Sequence, residues 1–254
     1  MKNRPQAKRK NVPTKTPEQD TIRLNRLLAN AGLCSRREAD QHIAMGLVAV
    51  NGKITTTLGT RVSPTDEVKF DGQTIARAKQ HYVLLNKPKG FAALTKGNAK
   101  QKKTTQDLLQ NSLQQQVPPV GDMGRMATGL LLLTNDVALH KKLKDNPKVK
   151  MVYHLKLTEP LTAALMSKLK KGVVLQNKTY VFDKISYLEG KAKTEIGLEV
   201  FGMAPSLVTK IFAHLNLRLV YLDRVIVGGL TKKDLARGQW RHLTPTEIQF
   251  LQMF

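Results

Sequence analysis

Asp122 and Arg125 stand close together in a glycine-flanked loop within residues 118–136, PPVGDMGRMATGLLLLTND. A carboxylate with a cation beside it can serve as a nucleophile or a general base, because the cation keeps it ionised in a partly buried pocket. The loop follows a proline pair and Gly121, passes Gly129, enters the apolar run 130–133 and stops at Thr134-Asn135-Asp136. A short apolar run bounded by turn residues predicts a buried strand. Loops at the ends of such strands commonly hold functional groups.

The elements that must position this loop are written along a 254-residue chain with 41% hydrophobic residues, enough for a large domain and a small appended one. The formal charge of +23 points to a polyanionic partner, with nucleic acid the first candidate. No apolar run approaches the roughly 20 residues needed to span a bilayer, so no membrane is expected. Cys34 is the sole cysteine. It excludes an internal disulfide and a cysteine-caged zinc, and fits a reducing cytoplasm. The six histidines lack ligand spacing, so no metal is expected.

Residues 1–20 hold six lysines and arginines with almost nothing apolar and predict a disordered basic arm. Residues 21–72 predict a compact unit. Leu24, Leu27, Leu28 and Ala31 recur at helical spacing. Ser35 with Glu38 forms a capping box for a second helix, and Gly46 ends it. Asn51-Gly52 then marks a hairpin. Residues 73–81 read as a linker, and 82–254 as the large domain. Within it, strands are expected at 82–85, 91–95, 148–157, 173–175, 180–188 and 195–201. Helices are expected at 107–116, 137–144, 161–171 and from Leu207 onward. Thr244, Pro245 and Glu247 start a final helix.

Two resemblances follow from these residues. RLNRLLANAGLCSRREADQHIAMGLVAVNGK, within 21–72, resembles a small RNA-binding domain first described in a small-subunit ribosomal protein. The central stretch resembles the active-site motif of the ribosomal RNA pseudouridine synthases, V-G-R-L-D-x-x-T-x-G followed by L-L-L-T-N-D. N-K-P-x-G at 86–90, L-x-R-x-x-x-G at 222–228 and G-x-W-R-x-L-T at 238–244 are further family features. The resemblance implies an α+β architecture: a helix–hairpin RNA-binding domain, then a larger, mainly antiparallel sheet flanked by helices. It also implies ribosomal RNA or a ribosomal particle as partner, a monomer, and no cofactor.

Carried over residue by residue, the family's nucleophilic aspartate falls on Gly124, its preceding arginine on Asp122 and its threonine on Ala127. Tyr153 takes the place of the tyrosine that lies against the target base, and Lys210 that of a basic residue near the aspartate. Arg23, Arg26, Arg36, Arg37, Lys53, Lys87, Lys102, Lys103 and Arg125 are the expected RNA contacts. Isomerising uridine means breaking the bond from ribose to base nitrogen and rejoining the base through carbon. That chemistry requires a carboxylate, and the base must leave its stack to reach it. Three readings follow: an RNA-binding family member without catalysis, a working synthase using Asp122 with Lys210 or Arg125, and a transfer-RNA or stalled-ribosome factor that borrows only the N-terminal domain.

Overall fold

A computed structural model describes residues 21–63, 65–75, 79–93, 103–109, 113 and 117–254. The expected arm at 1–20, part of the linker, Lys102 and most of the basic loop 96–103 lie outside the described residues. The chain divides into two compact units, Met1–Arg77 and Ala78–Phe254.

In the first unit, β1 (Ile22–Arg23) leads into α1 (Leu24–Asn30), and α2 (Arg36–Ala44) follows. The capping box is present: the Ser35 side chain accepts from the Glu38 amide, and the Glu38 side chain accepts from the Ser35 amide. Strands β2 (Val48–Val50), β3 (Lys53–Ile54), β4 (Arg61–Val62), β5 (Val68–Phe70) and β6 (Gln73–Thr74) complete it. Four of them pair in the order β3-β2-β5-β6, and β1 pairs with β4. Leu24, Leu28, Ala39, Ile43, Val48, Val62 and Val68 form its core.

The second unit is built on a mixed sheet. Its strands are β7 (Tyr82–Lys87), β8 (Thr128–Thr134), β9 (Lys150–Leu157), β12 (Lys184–Tyr187), β13 (Glu195–Phe201), β14 (Leu219–Val227), β15 (Leu230–Thr231) and β16 (Trp240–His242). The order is β12-β13-β9-β14-β8-β7-β16, with β15 on β14. All pairings are antiparallel except β14 with β8. A separate hairpin joins β10 (Val173–Leu175) to β11 (Lys178–Tyr180). Helices α3 (Val137–Leu143), α4 (Ala163–Lys171), α5 (Pro205–His214) and α6 (Pro245–Gln252) flank the sheet.

Successive strand residues face opposite sides, and the sheet has a core cluster on each. Leu131, Leu133, Tyr153, Leu155 and Leu222 pack with Met166 and Leu169 of α4 and with Val208, Ile211 and Phe212 of α5. On the other side Leu84, Leu130 and Leu132 pack with Leu139 and Leu143 of α3 and Leu251 of α6.

Three expected elements are corrected. The strand at 91–95 is reduced, among the described residues, to a single bridge from Ala92 to Thr104. Both edges of β7 are already occupied, by β8 and β16, so no slot remains for a hairpin return beside it. The helix at 107–116 is a series of turns over 105–109 among the described residues. The strand at 180–188 is interrupted because Phe182 turns inward, 4% exposed, with its ring 6.2 Å from that of Phe212.

Candidate functional site

Strands β8, β9 and β14 set the geometry. In their registers Gly129 is opposite Arg224 and Tyr153 is also opposite Arg224. A Cβ on Gly129 would lie 2.3 Å from the Arg224 carbonyl oxygen, and Gly129 has φ +98°. Only glycine allows the two backbones this approach.

Arg224 is 4% exposed. Its Nε donates to the Leu130 carbonyl at 2.6 Å, and its Nη1 reaches the Met151 sulfur at 3.7 Å. Among the described residues no carboxylate forms an ion pair with it. Asp122 and Arg224 line one cavity together with Gly121, Met151 and Ala204. Its volume is about 40 Å³. Since a water needs about 10–15 Å³, the cavity has room for a few waters. Ligand pockets start near 300 Å³, roughly, so a nucleobase does not fit it as it stands.

Tyr153 is fully buried, and its hydroxyl donates to the Met203 carbonyl at 2.7 Å. Burial raises its pKa, and Arg224 partly opposes that shift. The ring expected to lie against a target base therefore presents no face to solvent.

Lys87 corrects a second expectation. Instead of contacting RNA it is fully buried, opposite Gly129 in β8, and donates to the carbonyls of Phe91 at 2.7 Å and Pro88 at 3.2 Å. It pins the turn after β7. Burial, then Arg237 and Arg224, push it down to about 8, against an upward pull from Asp122. The folded state thus binds this proton less tightly than the unfolded chain, where the group titrates near 10.5. Stability should rise with pH between about 8 and 10.5, by an amount on the order of 3 kcal/mol. Denaturant titrations of the parent and Lys87→Met at pH 7.5 and 10.5 check this. The parent should gain on the variant at the higher pH; a constant difference contradicts it.

The remaining expected residues separate. Gly124, Arg125 and Met126 form an exposed tip between buried Met123 and Ala127. Arg125 is tied to Gly90 by two hydrogen bonds, of 3.0 and 2.8 Å. A Cβ at Gly124 would meet nothing within 4 Å. Lys210 is exposed on α5 and does not line the cavity. Two cations share the cavity with Asp122, Lys144 and Arg224, alongside a second carboxylate, Asp145; the spacing L-x-R-x-x-x-G alone does not reveal the place of Arg224. In the first unit Arg23, Arg36, Arg37 and Lys53 are exposed. Arg26 is half-buried, and burial and Arg36 lower its pKa. Lys103 is exposed, 5.9 Å from the centre of the Phe91 ring.

A second polar centre lies next to Arg224. Asp223, 4% exposed, accepts from Thr128 at 2.6 Å and from Arg237 at 2.7 Å, and pairs with Lys232. Burial pushes this carboxyl up, but Arg237, Lys232 and Thr128 outweigh it and hold it below the usual range. Arg237 also donates to the Asn86 side chain at 2.9 Å, binding the segment after β15 to β7. No group of three or more potential metal ligands occurs among the described residues. No helix among them is long and apolar enough to cross a membrane.

Residues 22–68 match the family model of the S4 domain, and residues 81–200 that of RNA pseudouridylate synthase. The ribosomal large subunit pseudouridine synthase B of Bacillus subtilis strain 168 is 32% identical over 235 residues, covering 91% of this chain and 95% of that protein. A dual-specificity RNA pseudouridine synthase of Escherichia coli strain K12 is 28% identical, covering 90% and 77%. A crystal structure of a pseudouridylate synthase superposes with a TM-score of 0.60 at 24% identity, over 91% of this chain and 99% of that one, and supports the fold. With an S4 domain ahead of a sheet that brings Gly129, Tyr153 and Arg224 together, the chain belongs to the ribosomal RNA pseudouridine synthase family.

Proposed function

We propose that this chain binds ribosomal RNA and does not isomerise uridine, acting in ribosome assembly or as a ribosome-associated factor. The observation that carries this reading is Gly124: the family's nucleophile position holds no carboxylate and stands at an exposed loop tip. A carboxylate supplies the covalent or basic step, and no backbone group replaces it. The small cavity beside Arg224 and the buried Tyr153 also favour binding over turnover. The charge of +23 and the exposed arginines of the S4 domain favour an RNA partner. On this reading the protein works in the cytoplasm, as a monomer without cofactor.

A second reading keeps the chemistry and assigns it to Asp122, since Asp122 lines the cavity with Arg224. Against it, Asp122 stands two residues from the family position, and chemistry of this kind loses about 100-fold for misplacement of roughly 1 Å. Restoring the motif with Gly124→Asp and Asp122→Arg tests the first reading, because a side chain at 124 has open space. Pseudouridine formation on ribosomal RNA by the double variant but not by the parent supports it. Pseudouridine formation by the parent itself contradicts it. Sequencing the RNA cross-linked to the parent identifies the partner; recovery of transfer RNA alone would point away from ribosomal RNA.

A further inference from the structure

One half of the large sheet carries a polar face on the side away from Tyr153. Lys150, Val152, His154 and Lys156 of β9 point to it, since they alternate with Met151, Tyr153 and Leu155. Their register partners are Phe201, Glu199, Gly197 and Glu195 on β13 and Ile226, Asp223 and Tyr221 on β14. Lys184 of β12 lies opposite Glu199. None of these residues belongs to a hydrophobic cluster. Helices α3 and α6 cover the same side over Leu84, Leu130 and Leu132 and over Val149, Val227 and Leu230 at the end of β14.

The face is preorganised. His154 Nε2 lies 2.5 Å from Glu195 Oε2, and the Tyr221 hydroxyl donates to the same oxygen at 2.9 Å. The Tyr221 and His154 rings meet edge to face, 5.1 Å apart. Tyr221, then His154, hold Glu195 below the usual carboxylate range. Each carboxylate among the register partners is committed to a neighbour: Glu195 to His154 and Lys156, Glu199 to Lys150, Asp223 to Lys232 and Arg237. Asp183, beside Glu199, adds a further acid. The cations Lys150, Lys156, Lys184, Lys232 and Arg237 outnumber these four acids.

An open sheet with aromatic rings at its centre and cations around them suits unpaired nucleotides: bases stack on the rings, and phosphates meet the lysines. We propose that this face is a platform for single-stranded RNA, separate from the Arg224 cavity. It rests on the reading of the chain as an RNA-binding protein and adds a second contact surface to it.

The test measures binding of the full-length protein to a fluorescein-labelled, unstructured uridine-rich RNA across a salt series. Lys156→Ala with Lys184→Ala should weaken binding and lower the salt slope by about 1.4, at roughly 0.7 per lost phosphate contact on a single strand. Tyr221→Ala should cost about fivefold or more, at the lower end of what one stacked base contributes. Tyr221→Phe, which keeps the ring, should bind nearly as the parent does. Circular dichroism confirms folding, and the lysine pair, on exposed side chains, carries the test even if Tyr221→Ala unfolds. Parent-like binding and slope in the lysine variant would overturn the platform while leaving RNA binding intact. Parent-like RNA binding with lost association to ribosomal particles would overturn it too, pointing to a protein partner. No RNA binding by the parent at any salt concentration would remove both the platform and the reading beneath it.

Discussion

Replacing Gly129 by alanine is expected to destabilise the large domain severely. The added Cβ would fall 2.3 Å from the Arg224 carbonyl oxygen and 2.6 Å from the Arg224 amide nitrogen. Both are backbone atoms of a neighbouring strand, so relief requires β14 to move away from β8. The parallel contact between those strands is confined to Asp223 with Thr128 and Arg224 with Gly129; moving it pulls Arg224 from Leu130 and Asp223 from Thr128. Alanine at φ +98° adds backbone strain of roughly 1–2 kcal/mol. The sum exceeds about 4 kcal/mol, in the range of exceptional point mutations, and corresponds to a fall of roughly 10 °C or more in melting temperature. Gly124→Ala is the control. Its φ is not left-handed and nothing lies within 4 Å, so it should stay within about 0.5 kcal/mol of the parent. A Gly129→Ala protein that melts with the parent would contradict the geometry on which the site rests.

RNA affinity should depend on salt with comparable force. For a protein that neutralises six or more phosphates, affinity falls by about 1,000-fold between 50 and 200 mM salt. A charge of +23 places this chain in that regime. Arg36 and Arg37 are exposed in the first turn of α2, where guanidinium groups and helix amides can hold a phosphate together. Arg36→Ala with Arg37→Ala should reduce affinity for structured ribosomal RNA and flatten the slope by about 2, near 0.9 per contact. An unchanged slope would show that α2 does not touch the RNA.

How far the sequence reveals this molecule depends on how local the signal is. The α2 capping box, the Asn51-Gly52 turn and the strand Glu195–Phe201 are specified by neighbours in sequence, and the structure reproduces them. Residues 91–95 have the composition of a strand, but the sheet order leaves no free edge beside β7, and the described part, 91–93, makes a single bridge at Ala92. Lys87 reads as a surface lysine before a Pro-Lys-Gly turn, yet it is fully buried, opposite Gly129 of β8. Arg224 is visible in L-x-R-x-x-x-G, but nothing near it in sequence tells that it shares a cavity with Asp122, about a hundred residues earlier. Gly124, on which the proposed loss of catalysis rests, is by contrast legible from sequence alone, because motif alignment requires no tertiary information.

The central claim, binding without isomerisation, is tested most directly by incubating the purified parent protein with ribosomal RNA and precursor particles and scoring pseudouridine at every uridine. The account predicts no product above that of a protein-free control, under salt conditions where RNA binding is measured in the same tubes. Robust product that disappears in Asp122→Asn would contradict it and make Asp122 the carboxylate of a working enzyme.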